Sequence, residues 1–487
     1  MQPSLSVPLL AGCRTPVAPR HGALRHHTPH TLAAPLVQHL LQTVGLPPEA
    51  VDTLILGNAL GAGGNPARMT ALAANLSQRC ATFSVDTQCC SGLDAINLAA
   101  VRILSGQSDV VIAGGAEAWT RSPIRQHRPM DATQAAIPYE RPAFTPWPKR
   151  DPDPLQAAAD YVARYGFTRH QQDAYARDSH ARAVRATAVR PARTPSAILP
   201  LEGLVHDAYP RLLTERQASR MPVAARPVRP RSDKIFLPGS PSDMAVTEDI
   251  RSASDLSMPG SSFLNTTAVP TDTHSPAASE PDCALSRLAI SPQADGAALV
   301  LMASAEFCAR RGITPASHWL GGLSLGTDPE NPLAGALAAA EALLQRHRLS
   351  PDALHAVELH DAFAVQGLAF QQALQSQGLD PARLNTWGGG LARGHPIGAS
   401  GAIALVELLA RLHATRPSPS ATSTTSDMPE RPEHSEIPAA PSAAPHQDRP
   451  DMPGMKTAST PHHSRLGLAC IAGVGGLGSA ALVAAHQ

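Results

Sequence analysis

The chain has 487 residues, 43% of them hydrophobic, and its 40 Lys plus Arg balance 40 Asp plus Glu. A formal net charge of zero excludes the basic footprint of a nucleic-acid-binding protein, and the length suits roughly three domain-sized units or one large enzyme with inserts. Charged residues reach only 16%, against about 25% in typical globular proteins, while the 47 prolines must concentrate in loops.

The first residues are apolar but lack a charged leader and soon reach Arg14, so no signal peptide is expected. Residues 51–56 (VDTLIL) and 109–113 (DVVIA) are short apolar runs that stop before glycine, the pattern of buried strands. Between them, residues 93–104 (LDAINLAAVRIL) carry apolar side chains at helical spacing and stop before Gly106, a C-cap signal. Residues 226–281 are rich in Pro, Ser, Asp and Thr and read as an irregular insert. Residues 297–302 predict another buried strand and 402–412 (AIALVELLARL) another helix. Residues 417–461 contain ten prolines and no aromatic residue, a composition that cannot offset its ordering entropy by burial, and read as a disordered insert. The uncharged stretch 466–485 has the length of a membrane span, but its five glycines predict a turn between buried strands instead. Strands alternating with helices give an α/β protein.

The seven cysteines, at 13, 80, 89, 90, 283, 308 and 470, include no CxxC pair and no nearby His at ligand spacing. Neither a disulfide framework nor a metal site is expected, and a cytoplasmic location fits. Four segments carry chemistry. In SVDTQCCSGLDA (84–95) a polar turn delivers Cys89 to a helix start, where the helix dipole and backbone N–H groups favour a thiolate nucleophile. In NTWGGGLARGHPIGAS (385–400) His395 sits in a Gly-rich approach to a helix and can accept a thiol proton. In VELHDAFA (357–364) His360 follows a strand and can donate to a developing oxyanion. In LGLACIAGVGGLGSA (466–480) a strand carries Cys470 toward a glycine-rich loop, and a second thiol can move a proton at carbon. Each segment alone has a bland reading as a packed cysteine, an ordinary turn or a structural histidine.

Together, in this order, the four segments resemble the thiolase family, whose motifs are C-x-S-G, N/H-E/D-x-F, GHPxGxSG and C-x-G-x-G. They stand here as Cys89-Cys90-Ser91-Gly92, His360-Asp361-Ala362-Phe363, Gly394 to Gly401, and Cys470 onward. Arg14-Thr15-Pro16, Asn65-Pro66-Ala67-Arg68, the run 113–117 (AGGAE), residues 295–298 (DGAA) and residues 160–183 extend the likeness to about three quarters of the chain. Departures are specific. Histidine replaces the commoner Asn at 360, as in the sterol-carrier-linked and trifunctional branches. After Cys470, Ala472 and Val474 occupy the places of two expected glycines, and the glycines fall at 473, 475, 476 and 478, as if the loop had gained about two residues. Ser291 matches a serine that contacts the pantetheine arm, although Ala289 stands where the family often has Asn.

The resemblance implies a five-layered αβαβα thiolase-like fold of two similar halves plus a loop domain. Residues 1–121 with 282–305 would form the first half, 122–225 the loop domain that covers coenzyme A, 226–281 the irregular insert, and 306–487 the second half, interrupted by 417–461. It further implies an acyl-CoA C-acyltransferase of fatty acid metabolism, such as β-oxidation, acting by thiolysis of a 3-ketoacyl-CoA or Claisen condensation of acetyl-CoA. Cys89 would carry the acyl group, His395 take its proton, His360 stabilise oxyanions and Cys470 act as acid/base, with Ser291 binding coenzyme A. Coenzyme A and acyl-CoA would be substrates, with no permanently bound cofactor, no metal, no nucleic acid and no membrane span, in a homodimer or homotetramer. Two rivals stay open: a non-catalytic acyl-CoA-binding relative, and a ketoacyl-synthase-like condensing enzyme, which decarboxylates a malonyl donor and needs no second thiol.

Overall fold

A computed structural model describes residues 6–61, 63–189, 196–228, 282–414 and 464–486. The expected disordered insert at 417–461 and nearly all of the one at 226–281 lie outside the described residues.

Nine strands form the spine: β1 (Val7–Arg14), β2 (Thr53–Gly57), β3 (Ala81–Val85), β4 (Val110–Ala118), β5 (Ala294–Ala303), β6 (Ser317–Gly326), β7 (Ala356–His360), β8 (Arg465–Gly473) and β9 (Leu477–Ala485). Their spatial order is β7-β8-β9-β6-β1-β5-β4-β2-β3, and two short strands, Ala18–Pro19 on β5 and Ser196–Ile198 on β1, complete an eleven-stranded sheet. The path divides into a five-stranded half, β3 to β1, and a four-stranded half, β6 to β7. They join where Val7, Pro8 and Leu9 pair antiparallel with Trp319, His318 and Ser317.

Helices α1 (Pro29–Val44), α2 (Ser91–Leu104), α3 (Arg169–Val189), α4 (Gly335–His347), α5 (Ala364–Ser376) and α6 (Ser400–His413) place the layers. Helices α2 and α6 lie between the halves, their Leu93, Ile96, Ile403 and Leu405 buried against Val111 and Val300 on one side and Ala469, Ile471 and Val483 on the other. Outside the first half, Leu32, Leu36 and Leu40 of α1 cover Leu54, Leu56, Ile112 and Leu299. Outside the second half, Leu343 and Leu344 of α4 and Phe370 and Leu374 of α5 cover Leu359, Leu468 and Leu482. The result is helix, sheet, helix, sheet, helix. Because both faces of the inner strands are covered, β1, β2, β4, β5 and β9 are buried almost throughout, while β3 and β6 stay partly exposed.

The region expected to form the cover, 122–225, adds Pro154–Tyr165 and α3, whose Ala158, Val162 and Ala176 pack with Leu288, Ala364, Val365 and Leu391 beside the second half. The apolar stretch 466–485 is the β8–β9 hairpin, turning at Gly475 and Gly476, both in the left-handed region that favours glycine. Among the described residues, no helix is long and apolar enough to cross a membrane.

Candidate active site

The turn that carries Cys89 begins with strain. Gln88, the residue before Cys89, has φ +55°, a left-handed conformation that costs an ordinary residue about 1–2 kcal/mol. Asp86 holds it there by accepting the Gln88 N–H at 2.9 Å, and the Ser91 hydroxyl accepts the Thr87 N–H at 2.9 Å. A short 3₁₀ turn, Gln88–Cys90, then leads directly into α2, so Cys89 stands at the helix start in the central layer.

His395 reaches it from the other half of the chain. Its Nε2 lies 3.3 Å from Cys89 Sγ, and its Nδ1 lies 2.7 Å from Ser400 Oγ. The Ser400 hydroxyl donates its single hydrogen to the Pro396 carbonyl at 3.0 Å, so it meets His395 as an acceptor. Nδ1 therefore carries the ring proton, and Nε2 presents a lone pair to the thiol. The backbone of His395 is tied on both sides: Trp119 donates its indole N–H to the His395 carbonyl at 2.9 Å, and the His395 N–H donates to Pro292 at 2.7 Å.

Close packing of glycines permits this meeting. The Gly398 carbonyl sits where a Cβ on Gly92 would come within 2.7 Å, and a Cβ on Gly115 would overlap it outright. Helix α2, strand β4 and the His395 loop can approach this closely only without side chains at those points. Beneath them the buried Glu117 carboxylate accepts from Asn58 Nδ2 at 2.6 Å, Ala59 N at 2.8 Å and Gly398 N at 3.0 Å. Burial still raises this carboxyl to about 7.

Burial also acts on the charge states of Cys89 and His395. It pushes the Cys89 thiol up to about 12, although the backbone N–H groups of Val474 and of Cys89 itself converge on the sulfur and favour the thiolate. His395 is pushed down to about 4 by burial. Burial thus favours the neutral thiol and the neutral imidazole. Removal from water here opposes the helix-start groups that favour the thiolate.

His360 ends β7 and packs on His395, ring centroids 4.4 Å apart. Its Nε2 is buried and meets no hydrogen-bond partner among the described residues. Burial holds the ring neutral, with the neighbouring His395 acting in the same direction. Asn385 fixes the strand end, accepting the Leu359 N–H at 2.9 Å and donating to the Leu359 carbonyl at 3.0 Å. Next to His360, Asp361 accepts from Tyr175 of the cover at 3.1 Å and from Leu391 N at 3.3 Å. Ser291 is also close by: its N–H donates to the Ala362 carbonyl and its hydroxyl to Gly390 at 2.6 Å, while neighbouring Gln293 bridges to His395.

Cys470 is not brought to this group. Its neighbours Ala469 and Ile471 face the central layer, so strand alternation turns Cys470 to the opposite face, among Leu359, Leu468 and Leu482. There its thiol is fully buried and lies 3.9 Å from the Glu358 carbonyl. Strand β8 continues to Gly473, three residues beyond, which leaves Cys470 inside the sheet and not at its end. The altered glycine spacing was the signal.

Several positioning residues escaped the sequence reading. Ser400, Glu117 and Asn385 lie inside recognised segments, but their work is visible only once their partners, distant in sequence, are known. A buried ion chain is another: Glu358 to Arg393 at 3.2 Å, Arg393 to Glu407 at 3.4 Å, Glu407 to Arg14 and Arg14 to Asp207 both at 2.6 Å. It links the strand of His360 and the loop of His395 to β1 and the cover. Such pairs fix geometry more than they add stability.

Comparison with known proteins agrees with this geometry. Residues 7–228 match the model of the thiolase N-terminal domain and residues 314–424 that of the thiolase C-terminal domain. VraB of Staphylococcus haemolyticus is 32% identical over 401 residues, covering 81% of this chain and 90% of its own; VraB of Staphylococcus aureus is 30% identical over 407 residues, covering 83% and 91%. The crystal structure of Acat5 thiolase from Ascaris suum in complex with coenzyme A superimposes with a TM-score of 0.70 at 22% identity, covering 99% of this chain and all of that one. The Bacillus anthracis acetyl-CoA acetyltransferase does so with a TM-score of 0.68 at 24% identity, covering 99% and 98%. With both domain models matched in order over more than half its length, the chain belongs to the thiolase family of acyltransferases.

Proposed function

We propose that the chain carries an acyl group on Cys89 and makes or breaks the carbon–carbon bond of a 3-ketoacyl-CoA. The observation that supports this best is the 3.3 Å contact between Cys89 Sγ and the unprotonated Nε2 of His395. As the sulfur attacks the thioester carbonyl of an acyl-CoA, its proton passes to Nε2 and then to the departing coenzyme A thiolate. The N–H groups of Cys89 and Val474 are placed to receive the oxyanion of this step. His360, whose Nε2 has no partner among the described residues, would receive the enolate oxygen of the carbon–carbon step, a donor typically worth about 3 kcal/mol. Coenzyme A and its thioesters are substrates in this reading, with no permanently bound cofactor. VraB carries the name acetyl-CoA C-acetyltransferase, which supports an acetyl group as one acyl unit.

Ser291 and the cover together would receive the pantetheine arm, the cover docking through Tyr175 and Asp361. Residues 1–121 with 282–305 would act as the first catalytic half, 122–225 as the cover and 306–487 as the second half, in a cytoplasmic enzyme of fatty acid metabolism. We place the second copy of a homodimer on the free edge of β3, where Phe83 is exposed beside Leu98, Val101 and Leu104 of α2. An unpaired edge flanked by apolar side chains invites a second strand.

Incubation with acetyl-CoA followed by peptide mass analysis tests the core of the reading. An acetyl group on Cys89, lost in Cys89→Ser and in His395→Ala, supports it. A label that remains in Cys89→Ser moves the nucleophile elsewhere.

A further inference from the structure

We propose that the side chain of Val474 sets the acyl specificity of this enzyme, admitting to Cys89 acyl groups that are unbranched at the carbon next to the thioester carbonyl and excluding those branched there. This rests on acylation of Cys89 and names the class of acyl group which that step accepts.

The β8–β9 hairpin ends directly on the turn that carries Cys89. Cys90 lies with its sulfur 3.8 Å from the Ile471 carbonyl and 3.3 Å from the point where a Cβ on Gly473 would stand. One residue further on, the Val474 N–H is directed at Cys89 Sγ. Residues 473–476 read Gly-Val-Gly-Gly, so the isopropyl group of Val474 is the one side chain on the stretch that passes the sulfur. It is half-buried, and among the described residues it belongs to none of the apolar clusters that fill the layers, whereas Leu477 beyond the turn packs against the central one. A valine that fills no core beside the thiol has the acyl site as its neighbour.

The turn holds this side chain in place. The Gly476 carbonyl accepts the Thr327 N–H at 2.6 Å and the Thr327 hydroxyl at 3.0 Å. From the 122–225 region, the Phe144 carbonyl lies 3.1 Å from the point where a Cβ on Gly475 would stand. Backbone held on both sides leaves Val474 little room to swing away, and branching at its own Cβ restricts χ1.

Placement becomes selectivity through the acyl oxygen. When that oxygen accepts from the Val474 N–H at about 2.9 Å, the acyl carbon stands within about 4 Å of the same nitrogen. Substituents on the next carbon of the acyl group then meet the two methyl groups of Val474. A linear acyl group carries one carbon branch there and can turn it away, leaving hydrogens toward the valine. A 2-methyl group adds a second branch, and one of the two must face the isopropyl group. One surplus carbon in a fitted apolar site typically changes kcat/KM by about 10- to 200-fold. The restriction is on shape beside the carbonyl and not on length, since a linear chain runs on past the reach of Val474.

The experiment uses the full chain and two isomeric donors, butyryl-CoA and isobutyryl-CoA, which differ in branching but not in atom count. Acylation of Cys89 is followed by rapid quench and peptide mass analysis, with acetyl-CoA first used to check that Cys89 takes a label. Wild type should acylate from butyryl-CoA on the order of tenfold or more faster than from isobutyryl-CoA. In the variants the readout is the ratio of these two rates, in which any loss shared through the Val474 N–H cancels. Val474→Ala should bring the ratio to within about threefold of one, Val474→Thr, which keeps the branched shape, should hold the wild-type ratio, and Val474→Ile should raise it. A wild type that takes both isomers equally, or takes neither while accepting acetyl-CoA, overturns the proposal. So does a folded Val474→Ala protein that keeps the wild-type ratio, or a Val474→Thr protein that loses it as alanine does. Should the alanine variant not fold, an isoleucine variant with an unchanged ratio overturns it equally. No label on wild-type Cys89 from acetyl-CoA sinks the acyl-enzyme reading itself, and this proposal with it.

Discussion

The imidazole rings of His360 and His395 lie with centroids 4.4 Å apart and planes tilted by 30°. At this separation, in a largely buried site, a charge on one ring opposes a charge on the other, and burial favours the neutral form of both. The two can therefore work in sequence but not as a pair of cations. His360→Ala should leave acylation of Cys89 nearly intact while lowering carbon–carbon bond formation roughly a hundredfold, the usual loss for one oxyanion donor. Rapid-quench measurement of acyl-enzyme beside steady-state turnover separates the two steps.

Iodoacetamide should report the neutral thiol. With the Cys89 thiol near 12, its alkylation in the free enzyme should climb about tenfold per pH unit from about pH 7 to pH 9 without levelling. His395, near 4, stays in its unprotonated form throughout that window and adds no inflection. Peptide mapping distinguishes Cys89 from the half-buried Cys283. A plateau beginning below pH 7 would mean a preformed thiolate–imidazolium pair.

Ser400 holds the tautomer of His395 through the 2.7 Å contact at Nδ1. Ser400→Ala removes that acceptor and frees the ring proton to sit on either nitrogen. Loss of one such hydrogen bond is worth about 1–2 kcal/mol, so acylation should fall roughly 5- to 30-fold. Ser400→Thr, which keeps the hydroxyl, should recover part of the loss in the same assay.

Glu117→Ala leaves the side chain of Asn58 and the N–H groups of Ala59 and Gly398 without their acceptor. Each unsatisfied buried donor costs about 1–3 kcal/mol, and relaxation recovers part of it, so unfolding in urea should shift to lower concentration by about 3 kcal/mol of stability. Acylation should slow as well, because the Gly398 tether belongs to the loop that carries His395.

Val101→Glu places a charge in the exposed apolar face of α2, where Val101 is 56% exposed. Sedimentation should show the wild type as a dimer and the variant as a folded monomer. A wild type that sediments as a monomer at micromolar concentration would remove the edge of β3 as an interface.

The local signals in the sequence located the elements well and their ends less well. The run 109–113 was read as a strand that stops at Gly114, yet β4 continues through Gly114 and Gly115 to Ala118. Glycine there serves close approach to the Gly398 loop and does not end the strand. The helices expected at 93–104 and 402–412 begin two residues earlier, at Ser91 and Ser400, because each is entered from a 3₁₀ turn that extends the helical path. In the site, Cys89, His395 and His360 were legible because each sits in a dense local motif. Cys470 also sits in one, but the direction of its side chain depends on strand phase, which a shift in loop length changes without altering the composition. Glu407 and Arg14 were beyond local reading, since their pairing spans 393 residues.

The spatial order β7-β8-β9-β6 sets the time at which the catalytic pair can come into being. Strands β8 and β9, residues 465–485, fill the middle of the second half-sheet, between strands made more than a hundred residues earlier. While the ribosome is still adding them, β6 and β7 have no partner between them, and α6, which follows the His395 loop, lacks the face of Ala469, Ile471 and Val483 on which its second side packs. Cys89, by contrast, is synthesised early, in a half that can fold first. If Cys89 and His395 act as proposed, the thiol spends most of translation without its base, and the pair is completed only when the last strands slot into place.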